Sequence, residues 1–421
     1  MSQYILIGER LSHSLSGEIH RAFGRYAYSL RELAPAELVP FLRSGDFSGL
    51  NVTIPYKQAV IPYLDALDET AAHIGAVNTV VRRDGRLIGC NTDFGGMRAM
   101  LSRAGIRLRG KRVLILGTGG TSRTALAVAE AEGTGSVLRV SRTGKDGALT
   151  CAQAVSEHPD TEILINTTPA GMEPDVDSLP VDPAAFPRLE AVADAVYRPL
   201  RTRLVLRARD LGLTAADGLY MLVSQAALAC ALFTGSPVPA AELEAVYRGL
   251  VRRAENLVLI GMPDCGKTTV GRLLARRTGM DFVDLDEEIV RRSGRTIPAL
   301  FAAVGERGFR ALEAETVREL SRRVGCVIAA GGGTVLDPEN LRRLRQSGKL
   351  ILLQRPLESL RPDPGRPLAD TPEKLAALFA ARAPIYAACA DLRIPNHNSP
   401  EAAADAIVAA LGKDAATCTS C

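Results

Sequence analysis

The sequence has 421 residues, of which 47% are hydrophobic and 23% are charged, and its formal net charge is +4. A chain of this length is expected to hold two or three domains, and its weak charge and low aromatic content, 5%, argue against nucleic acid as a partner. No apolar stretch reaches the ~18–20 residues that cross a bilayer. The N-terminus does not resemble a signal peptide, and the eight scattered cysteines do not suggest a disulfide framework. We therefore expect a cytoplasmic protein without a membrane partner.

The first part of the chain alternates predicted strands and helices, which indicates an α/β domain. A buried strand over residues 4–8 is followed by an amphipathic helix through Ile19 and Phe23. A second strand is predicted over residues 50–54, and a hairpin is predicted around Asp84-Gly85.

Polar clusters follow these strands at residues 12–16, 51–57 and 91–93. Together they would form a pocket for a hydroxylated small molecule. Lys57 and Asp93 would supply acid–base chemistry in it. Taken alone, the serine cluster is better explained by turn or capping chemistry.

Another predicted strand begins at residue 112, and a glycine turn and a helix follow it. The strand runs into Gly117-Thr-Gly-Gly120, and the helix is predicted over residues 124–131. This is the dinucleotide-binding arrangement, although G-x-G-G departs from the usual G-x-G-x-x-G. The next strand ends at Ser141-Arg142-Thr143, where an NAD-binding fold would place a carboxylate. A guanidinium and two hydroxyls suit a 2′-phosphate, so we predict NADP rather than NAD.

Predicted elements continue without a flexible linker to residue 253. They are strands at 163–165 and before 194 and helices over 202–210, 218–233 and 240–253. An apolar strand then ends in Gly261, and Gly266, Lys267 and Thr268 complete the phosphate-binding pattern G-x-x-x-x-G-K-[ST]. Backbone N–H groups of such a loop face phosphates, the lysine adds positive charge, and the threonine hydroxyl can ligate Mg²⁺. A nucleotide-binding domain therefore begins near residues 253–255.

Charged residues and glycines that could bind a ligand or take part in catalysis also follow the later strands. A strand over 282–286 ends in Asp284 and Asp286, and a helix starting near residue 305 carries Arg310. A strand at 327–330 runs into three glycines at 331–333, where bare backbone can approach a ligand closely. A further strand over 350–353, a Pro/Arg-rich loop over 361–368 and a helix over 372–382 complete the pattern.

Residues 3–250 resemble the shikimate dehydrogenase family. The motifs that carry the resemblance occur in the family's order: Ser14-x-Ser16, Asn51-Val-Thr-Ile-Pro-Tyr-Lys57, Gly75-Ala-Val-Asn-Thr79, Asn91-Thr-Asp93, Gly117-x-Gly-Gly120, Ser141-Arg-Thr143, Asn166-Thr-Thr-Pro169 and Gly218-x-x-Met-Leu-Val-x-Gln225. The resemblance implies reduction of 3-dehydroshikimate to shikimate by NADPH, in a cleft between a substrate domain and a Rossmann domain.

The same resemblance implies residue roles. Lys57 and Asp93 would be the catalytic pair. The substrate would be held by Ser14, Ser16, Thr53, Lys57, Asn78, Asp93, Tyr197 and Gln225. NADP would be bound by Gly117, Gly119, Gly120, Thr121, Ser141, Arg142, Thr143, Asn166, Thr167 and Gly218.

Residues 256–412 resemble the shikimate kinase family, small P-loop kinases with a mobile lid. The resemblance implies that shikimate is bound by Asp286, Arg310, Gly332 and Arg382. ATP would be bound by Asp264, Cys265, Gly266, Lys267, Thr268, Thr269 and the lid residue Arg366. Mg²⁺ would be held by Thr268 and, through water, by Asp284. Lys267 and Asp286 would be catalytic, the first by charge and the second by orienting the attacking hydroxyl.

Two positions depart from the kinase pattern. Asp264 stands where the family usually has glycine, which places a carboxylate near the phosphates. The lid between Arg361 and Arg366 is a residue or two shorter than usual, and its prolines stiffen it.

The sequence thus predicts a bifunctional α/β enzyme: a two-lobed dehydrogenase followed by a P-loop kinase domain with a parallel sheet, acting as a monomer or homodimer. The predicted domains are a substrate-binding domain over 1–95 and 217–253, a Rossmann NADP-binding domain over 96–216, a kinase domain over 254–412 and a disordered tail over 413–421. Alternatives are a weak or regulatory kinase half, and a dehydrogenase that also uses quinate, with NADP or NAD as the cofactor. The sequence also leaves open whether shikimate passes directly between the two sites or is only produced jointly.

Overall fold

The computed structural model describes residues 3–12, 14–144, 147–362 and 368–417. The chain forms two compact units, Met1–Gly249 and Leu250–Cys421. Both are built from helices packed on sheets, which confirms the predicted α/β class. Within the described ranges, every helix falls short of the length or the apolar character that crossing a bilayer requires.

The first unit begins with a mixed sheet that carries most of the polar clusters. Its strands are β1 (Gln3–Gly8), β2 (Ala27–Glu32), β3 (Gly49–Val52), β4 (Ala66–Leu67), β5 (Thr79–Arg83) and β6 (Arg86–Cys90). In the described residues they lie in the order β2-β1-β3-β5-β6-β4, with β1 parallel to β2 and β3, and β5 antiparallel to β3 and β6. The helices of this part are α1 (Ser16–Phe23), α2 (Leu38–Ser44), α3 (Glu69–Ile74) and α4 (Thr92–Arg103). The predicted hairpin is confirmed, because Asp84 and Gly85 take positive φ between β5 and β6.

Strand β3 is shorter than the sequence suggests. It ends at Val52, whereas the apolar pattern predicts a strand to Ile54. The Tyr56 backbone N–H donates to the Thr53 carbonyl, which closes a turn, and Pro55 cannot donate to a sheet. The early turn leaves Ile54 72% exposed.

A parallel sheet forms the rest of the first unit's core. Its strands are β7 (Arg112–Leu116), β8 (Ser136–Val140), β9 (Ile163–Asn166), β10 (Ala191–Asp194) and β11 (Thr214–Ala216). The described strands lie in the order β11-β10-β9-β7-β8. The helices that follow α4 are α5 (Gly120–Ala131), α6 (Cys151–Glu157), α7 (Arg203–Asp210), α8 (Leu219–Thr234) and α9 (Ala240–Ala254). Apolar side chains pack on both faces of this sheet, as its nearly continuous apolar strands predict.

The second unit is a parallel sheet surrounded by helices. Its strands are β12 (Asn256–Ile260), β13 (Asp281–Asp284), β14 (Cys326–Ala329), β15 (Gly348–Gln354) and β16 (Leu392–Pro395). The described strands lie in the order β13-β14-β12-β15-β16. The helices are α10 (Lys267–Thr278), α11 (Leu285–Ser293), α12 (Ile297–Leu320), α13 (Pro338–Ser347), α14 (Pro372–Cys389) and α15 (Pro400–Thr417). Short 3₁₀ turns across both units are Pro35–Glu37, Ile61–Tyr63, Pro183–Ala185, Thr334–Leu336 and Leu357–Ser359.

Three elements of the second unit differ from prediction. Strand β13 ends at Asp284, which caps α11, so Asp286 lies in the first turn of that helix and not at a strand end. Helix α14 continues past Pro384 although an internal proline costs ~3 kcal/mol; the buried Tyr386, beyond the proline, packs in the core and offsets this cost. Helix α15 runs to Thr417, five residues into the predicted tail, and residues 418–421 lie outside the described part.

An aromatic cluster in the first unit encloses His20, whose side chain is 1% exposed. Its ring stacks on Tyr28 with centroids 4.0 Å apart, and its Nδ1 lies 2.7 Å from the Tyr26 hydroxyl. Burial lowers the pKa of the His20 imidazole from 6.5 to about 3. The imidazole is therefore neutral in the folded protein near neutral pH.

We expect the first unit to lose stability in mild acid because of His20. Between pH 6.5 and about 3 the unfolded chain binds a proton at this residue and the folded chain does not, so stability falls as pH falls. The loss at pH 5 is about 2 kcal/mol. Chemical denaturation at pH 5 and pH 7.5 should show a smaller difference for His20→Gln than for the wild type. The same change at the exposed His73 should leave the difference unaltered; an unaltered difference in His20→Gln would contradict the assignment.

Candidate active sites

A cleft of about 180 Å³ opens in the first unit, lined by residues from the mixed sheet and by residues that follow strands of the parallel sheet. All the side chains predicted to hold the substrate line it: Ser14, Ser16, Thr53, Lys57, Asn78, Asp93, Tyr197 and Gln225. They come from the segments that follow β1, β3 and β10, from the residue before β5, and from helices α1, α4 and α8. The fold therefore brings together residues that are more than 200 positions apart in sequence.

Lys57 and Asp93 form an ion pair in this cleft. Lys57 Nζ donates to Asp93 Oδ2 at 2.5 Å, and the two side chains are 15% and 10% exposed. The other carboxylate oxygen, Oδ1, accepts from Asn78 Nδ2 at 2.9 Å. The carboxylate is thus fixed from both sides, and it orients an ammonium group towards the cavity.

Asn78 connects this pair to α8. Its Nδ2 lies 3.3 Å from Gln225 Oε1, and its Oδ1 accepts from the Thr92 backbone N–H at 2.7 Å. Thr92 and Asn51 were not assigned from the sequence, although both belong to recognised motifs. Asn51 lines the cavity and donates from Nδ2 to Thr79 Oγ1 at 3.0 Å.

Tyr197 faces the same cavity from the end of β10. Burial raises the pKa of its phenol. The hydroxyl therefore remains protonated and available as a hydrogen-bond donor.

The glycine turn after β7 opens beside the ion pair. A Cβ added at Gly120 would lie 3.6 Å from Lys57 Cδ, whereas one added at Gly119 would meet no described atom within 4 Å. Helix α5 starts at Gly120, before the predicted start at residue 124. The last residues of the predicted glycine turn are therefore already helical. Its N-terminal N–H groups therefore face open space next to Lys57, which is where a pyrophosphate is bound in such folds.

The predicted 2′-phosphate site follows β8. Arg142 and Thr143 are exposed, and Ser141 Oγ is buried without a hydrogen-bond partner among the described residues. An orphaned hydroxyl beside an exposed guanidinium fits a phosphate that would satisfy both.

The side chains of two predicted cofactor residues, Asn166 and Thr167, form hydrogen bonds within the protein. The Asn166 amide donates to Asp194 Oδ1 at 2.9 Å and accepts from the Thr168 backbone N–H. Thr167 Oγ1 donates to the Leu116 carbonyl at 2.6 Å. These side chains hold the loop after β9 in place. Gly218 sits where an added Cβ would overlap the Ala195 carbonyl, so it has a packing role as well.

In the second unit, the phosphate-binding loop joins β12 to α10. Lys267 is buried, and its Nζ donates to the carbonyls of Gly261 and Met262, both at 2.9 Å. Thr268 Oγ1 donates to Asp284 Oδ2 at 2.6 Å. The backbone of the loop thus surrounds the ammonium group of Lys267. The hydroxyl of Thr268 and the carboxylate of Asp284 lie at the edge of the loop and offer the hard oxygen ligands that Mg²⁺ prefers.

Asp264 has a conformation that favours glycine. Its φ is 62°, in the left-handed region, and its side chain is exposed on the loop. Asp264 Oδ2 accepts from the Arg361 backbone N–H at 3.0 Å, and its carbonyl accepts from Arg355 Nη1 at the same distance. The carboxylate is therefore hydrogen-bonded to Arg361, the first residue of the Pro/Arg-rich loop. The predicted ligand Arg366 lies outside the described residues.

A second polar cavity, of about 70 Å³, lies beside this loop. Its lining includes all four residues predicted to bind shikimate: Asp286, Arg310, Gly332 and Arg382. A Cβ at Gly333 would lie 2.4 Å from Arg310 Nη1, and one at Gly331 would lie 3.1 Å from Asp286 Oδ1. The glycines are needed because charged side chains occupy the space beside the backbone.

Three residues that were not assigned from the sequence, Glu313, Thr334 and Tyr386, shape this cavity. Glu313 is 1% exposed, accepts from Arg310 Nη1 at 2.7 Å, and accepts from Thr334 Oγ1 at 2.6 Å. Burial works against the charge of Arg310, but Glu313 outweighs it and raises the pKa of that guanidinium. Tyr386 and Arg382 both donate to the Gly332 carbonyl. Arg310 and Glu313 are three residues apart on a helix, and this spacing was the sequence signal that could have predicted their ion pair.

Comparisons with known proteins match both units. The family model for the shikimate dehydrogenase substrate binding domain matches residues 6–80, and the model for shikimate kinase matches residues 263–412. The shikimate dehydrogenase (NADP(+)) of Clostridium perfringens (strain ATCC 13124) is 36% identical over 267 residues, covering 59% of this chain and 98% of that protein.

Solved structures agree with these matches. A shikimate 5-dehydrogenase from Thermus thermophilus, in complex with NADP(H) and shikimate, is similar with a TM-score of 0.53 and 33% identity, over 59% of this chain and 99% of that one. A chorismate mutase/shikimate 5-dehydrogenase fusion protein from Clostridium acetobutylicum is similar with a TM-score of 0.56 and 31% identity, over 59% and 97% of the two chains.

Proposed function

Because the chain belongs to the shikimate dehydrogenase family and carries a shikimate kinase domain after it, we propose that one polypeptide catalyses two successive reactions. The first unit reduces 3-dehydroshikimate to shikimate with NADPH. The second unit phosphorylates shikimate with ATP. The observation that supports this best is the convergence, in each unit, of the polar residues predicted for its substrate on one cavity.

In the reduction, NADPH supplies the hydride. Lys57, as an ammonium ion, would donate a proton to the ketone oxygen while that oxygen gains negative charge. Asp93 would remain ionised and hold Lys57 in place through the 2.5 Å contact, and Asn78 would hold Asp93. The hydroxyls and carboxylate of the substrate would be bound by the side chains whose donors and acceptors complement them: Ser14, Ser16, Thr53, Tyr197 and Gln225.

We propose that Arg142 and the orphaned Ser141 hydroxyl select NADPH. Arg142→Ala is expected to raise the KM for NADPH roughly 10- to 100-fold, because it removes charge-assisted hydrogen bonds to the 2′-phosphate. The KM for NADH should change little, since NADH lacks that phosphate. Steady-state kinetics with both cofactors would test this, with Arg188→Ala, another exposed arginine of the same unit, as the matched control. An equal rise for both cofactors would contradict the assignment.

In the phosphorylation, Asp286 would accept a hydrogen bond from the attacking hydroxyl and orient it. Arg310 and Arg382 would bind the carboxylate of shikimate, held in position by Glu313 and by the Gly332 carbonyl respectively.

The phosphate-binding loop would hold the nucleotide and its metal ion. Lys267 would exchange its carbonyl acceptors for phosphate oxygens. Mg²⁺ would be bound by Thr268 Oγ1, with Asp284 acting through water.

Asp264 is expected to weaken ATP binding. Its carboxylate lies on the loop that faces the phosphates, so Asp264→Gly should tighten ATP binding roughly 3- to 10-fold. The free energy of unfolding should change by no more than roughly 1 kcal/mol, because relief of the left-handed strain is opposed by the greater freedom of glycine in the unfolded chain. Calorimetric titration with ATP would measure the affinity.

Asp264→Asn separates charge from backbone strain. Asparagine tolerates the left-handed conformation and keeps the acceptor for Arg361, but it removes the charge. If the charge is the cause, Asn and Gly tighten binding alike. Unchanged affinity in both variants would show that the carboxylate does not oppose the nucleotide.

Separate assays of the two units would test the proposed function. NADPH oxidation should depend on 3-dehydroshikimate, and ADP release from ATP and Mg²⁺ should depend on shikimate. In the oxidative direction, the dehydrogenase should oxidise quinate with NADP or NAD more slowly than it oxidises shikimate with NADP. Absence of shikimate-dependent ADP release, with an active dehydrogenase, would leave the second unit as a regulatory module.

We also propose a cytoplasmic location and a monomeric or homodimeric state. NADPH and ATP are cytoplasmic cofactors, and the cysteines in the described part, including the buried Cys90, Cys230 and Cys265, are free thiols. Light scattering of the purified chain would measure the oligomeric state.

A further inference from the structure

The first unit has a second concave surface that shares no residue with the substrate cleft. It encloses about 600 Å³ between the second half of α4, the segment that follows it, and the end of α5. Its lining residues are Arg98, Ala99, Leu101, Ser102, Ile106, Arg107, Leu108, Arg109 and Glu132. We name it the arginine cavity.

Positively charged side chains outnumber negatively charged ones in the arginine cavity. Arg98 Nε donates to Glu132 Oε1 at 2.7 Å, so these two charges compensate each other. Arg107 and Arg109 are exposed, and neither forms a hydrogen bond or an ion pair with any residue that the structure describes. The three arginines and one glutamate leave the cavity a net charge of +2.

The burial pattern sets the direction of these guanidinium groups. Ile106 and Leu108 are 6% and 2% exposed, whereas Arg107 and Arg109 between and after them are exposed. The apolar side chains fix the segment to the core, and the two arginines are left on its outer side, where both line the cavity. By contrast, Arg103, at the end of α4, has a carboxylate partner in Glu244.

We propose that the arginine cavity binds a small organic phosphate monoester. A phosphate dianion compensates the +2 charge, and the planar forks of Arg107 and Arg109 match its oxygens in a bidentate manner. A concave surface lined by one sign of charge concentrates such an anion. Leu101, Ile106 and Leu108 give the floor an apolar character that accommodates the organic part, and the Ser102 hydroxyl adds a hydrogen-bond donor.

Protection from an arginine-specific reagent tests the site residue by residue. The full chain, with both nucleotide sites saturated by NADP⁺ and Mg²⁺-ADP, is treated with phenylglyoxal in inorganic phosphate, in malonate or in chloride at equal ionic strength, and modification is mapped by mass spectrometry. We expect phosphate to slow modification of Arg107 and Arg109 by about threefold or more relative to chloride, and malonate to slow it less. Arg188, exposed elsewhere in the unit, should react alike in all three.

Variants provide the second measurement. Arg107→Ala/Arg109→Ala should weaken calorimetric binding of phosphate by about tenfold or more, and Arg188→Ala should not. Protection equal to that of chloride, or unchanged affinity in the double variant, would overturn the site. Stronger protection by malonate than by phosphate would overturn the assignment to a phosphate monoester. Neither readout depends on dehydrogenase or kinase activity, so the result is independent of the proposed function.

Discussion

Replacing Lys57 by Ala is expected to lower the turnover of 3-dehydroshikimate about 10²- to 10⁴-fold, which is the usual contribution of a positioned general acid. Lys57 Nζ is the ammonium donor fixed by Asp93 in the substrate cleft, and Asp93 is itself fixed by Asn78. The KM for NADPH should change little, because the residues proposed to bind the phosphates and the ribose do not include Lys57. Phosphorylation of added shikimate should continue at the wild-type rate. Steady-state kinetics of both reactions on the same preparation would give these values.

Lys111→Ala is the matched control for this variant. Lys111 is also paired with carboxylates, Glu162 and Glu190, but it lies outside the cleft, immediately before β7. Partly exposed ion pairs contribute little to stability, so the control should retain its dehydrogenase turnover. A Lys57→Ala protein with normal turnover would refute the assignment of Lys57 as the proton donor.

Asp286→Asn is expected to have the largest effect on the kinase, a loss of about 10²- to 10⁴-fold in kcat. The substitution keeps the size of the side chain but removes the negative charge that would orient and deprotonate the attacking hydroxyl. Asp286 lies in the first turn of α11, beside Gly331 and the Arg310–Glu313 pair. ADP release with saturating shikimate would measure kcat, and calorimetric titration with shikimate would show whether the substrate still binds.

The control for this variant is Asp281→Asn, since Asp281 is an exposed residue at the start of β13. It should leave both kcat and substrate affinity unchanged, and the dehydrogenase should be unaffected in either variant. If Asp286→Asn kept its kcat and only weakened shikimate binding, Asp286 would be a binding residue and not a catalytic one.

Motifs predicted most of the fold and many of the residues that line the two cavities. The resemblance to both families is confirmed by the comparisons. The residues that the motifs indicated for substrate binding line the cleft of the first unit and the polar cavity beside the phosphate-binding loop. Part of the reason is physical: Thr53 and Tyr197 follow strands, Asp93 and Asp286 lie in the first turn of helices, and the carboxyl ends of parallel strands meet at one edge of a sheet. Gln225, Arg310 and Arg382 lie within helices, so they were placed by the family motifs and not by a strand end.

Contacts that join distant segments could not be predicted in this way. Thr334 donates to Glu313 across 21 residues, and Tyr386 donates to the Gly332 carbonyl across 54; no local pattern encodes such pairs.

Two further features depend on tertiary contacts that local sequence does not encode. Asn166, predicted to bind the cofactor, donates from its side-chain amide to Asp194 on the neighbouring strand. The helix predicted over 372–382 continues past Pro384 to Cys389, and burial of Tyr386 beyond the proline offsets the local preference of that residue.

Whether both units act in series can be tested in a single reaction that contains the protein, 3-dehydroshikimate, NADPH, ATP and Mg²⁺. NADPH oxidation, followed by absorbance, and ADP release would be recorded together, with parallel samples that lack NADPH. We predict equal final amounts of oxidised NADPH and ADP, and no ADP release when NADPH is omitted. NADPH oxidation without ADP release would contradict the claim that both units are working enzymes in series.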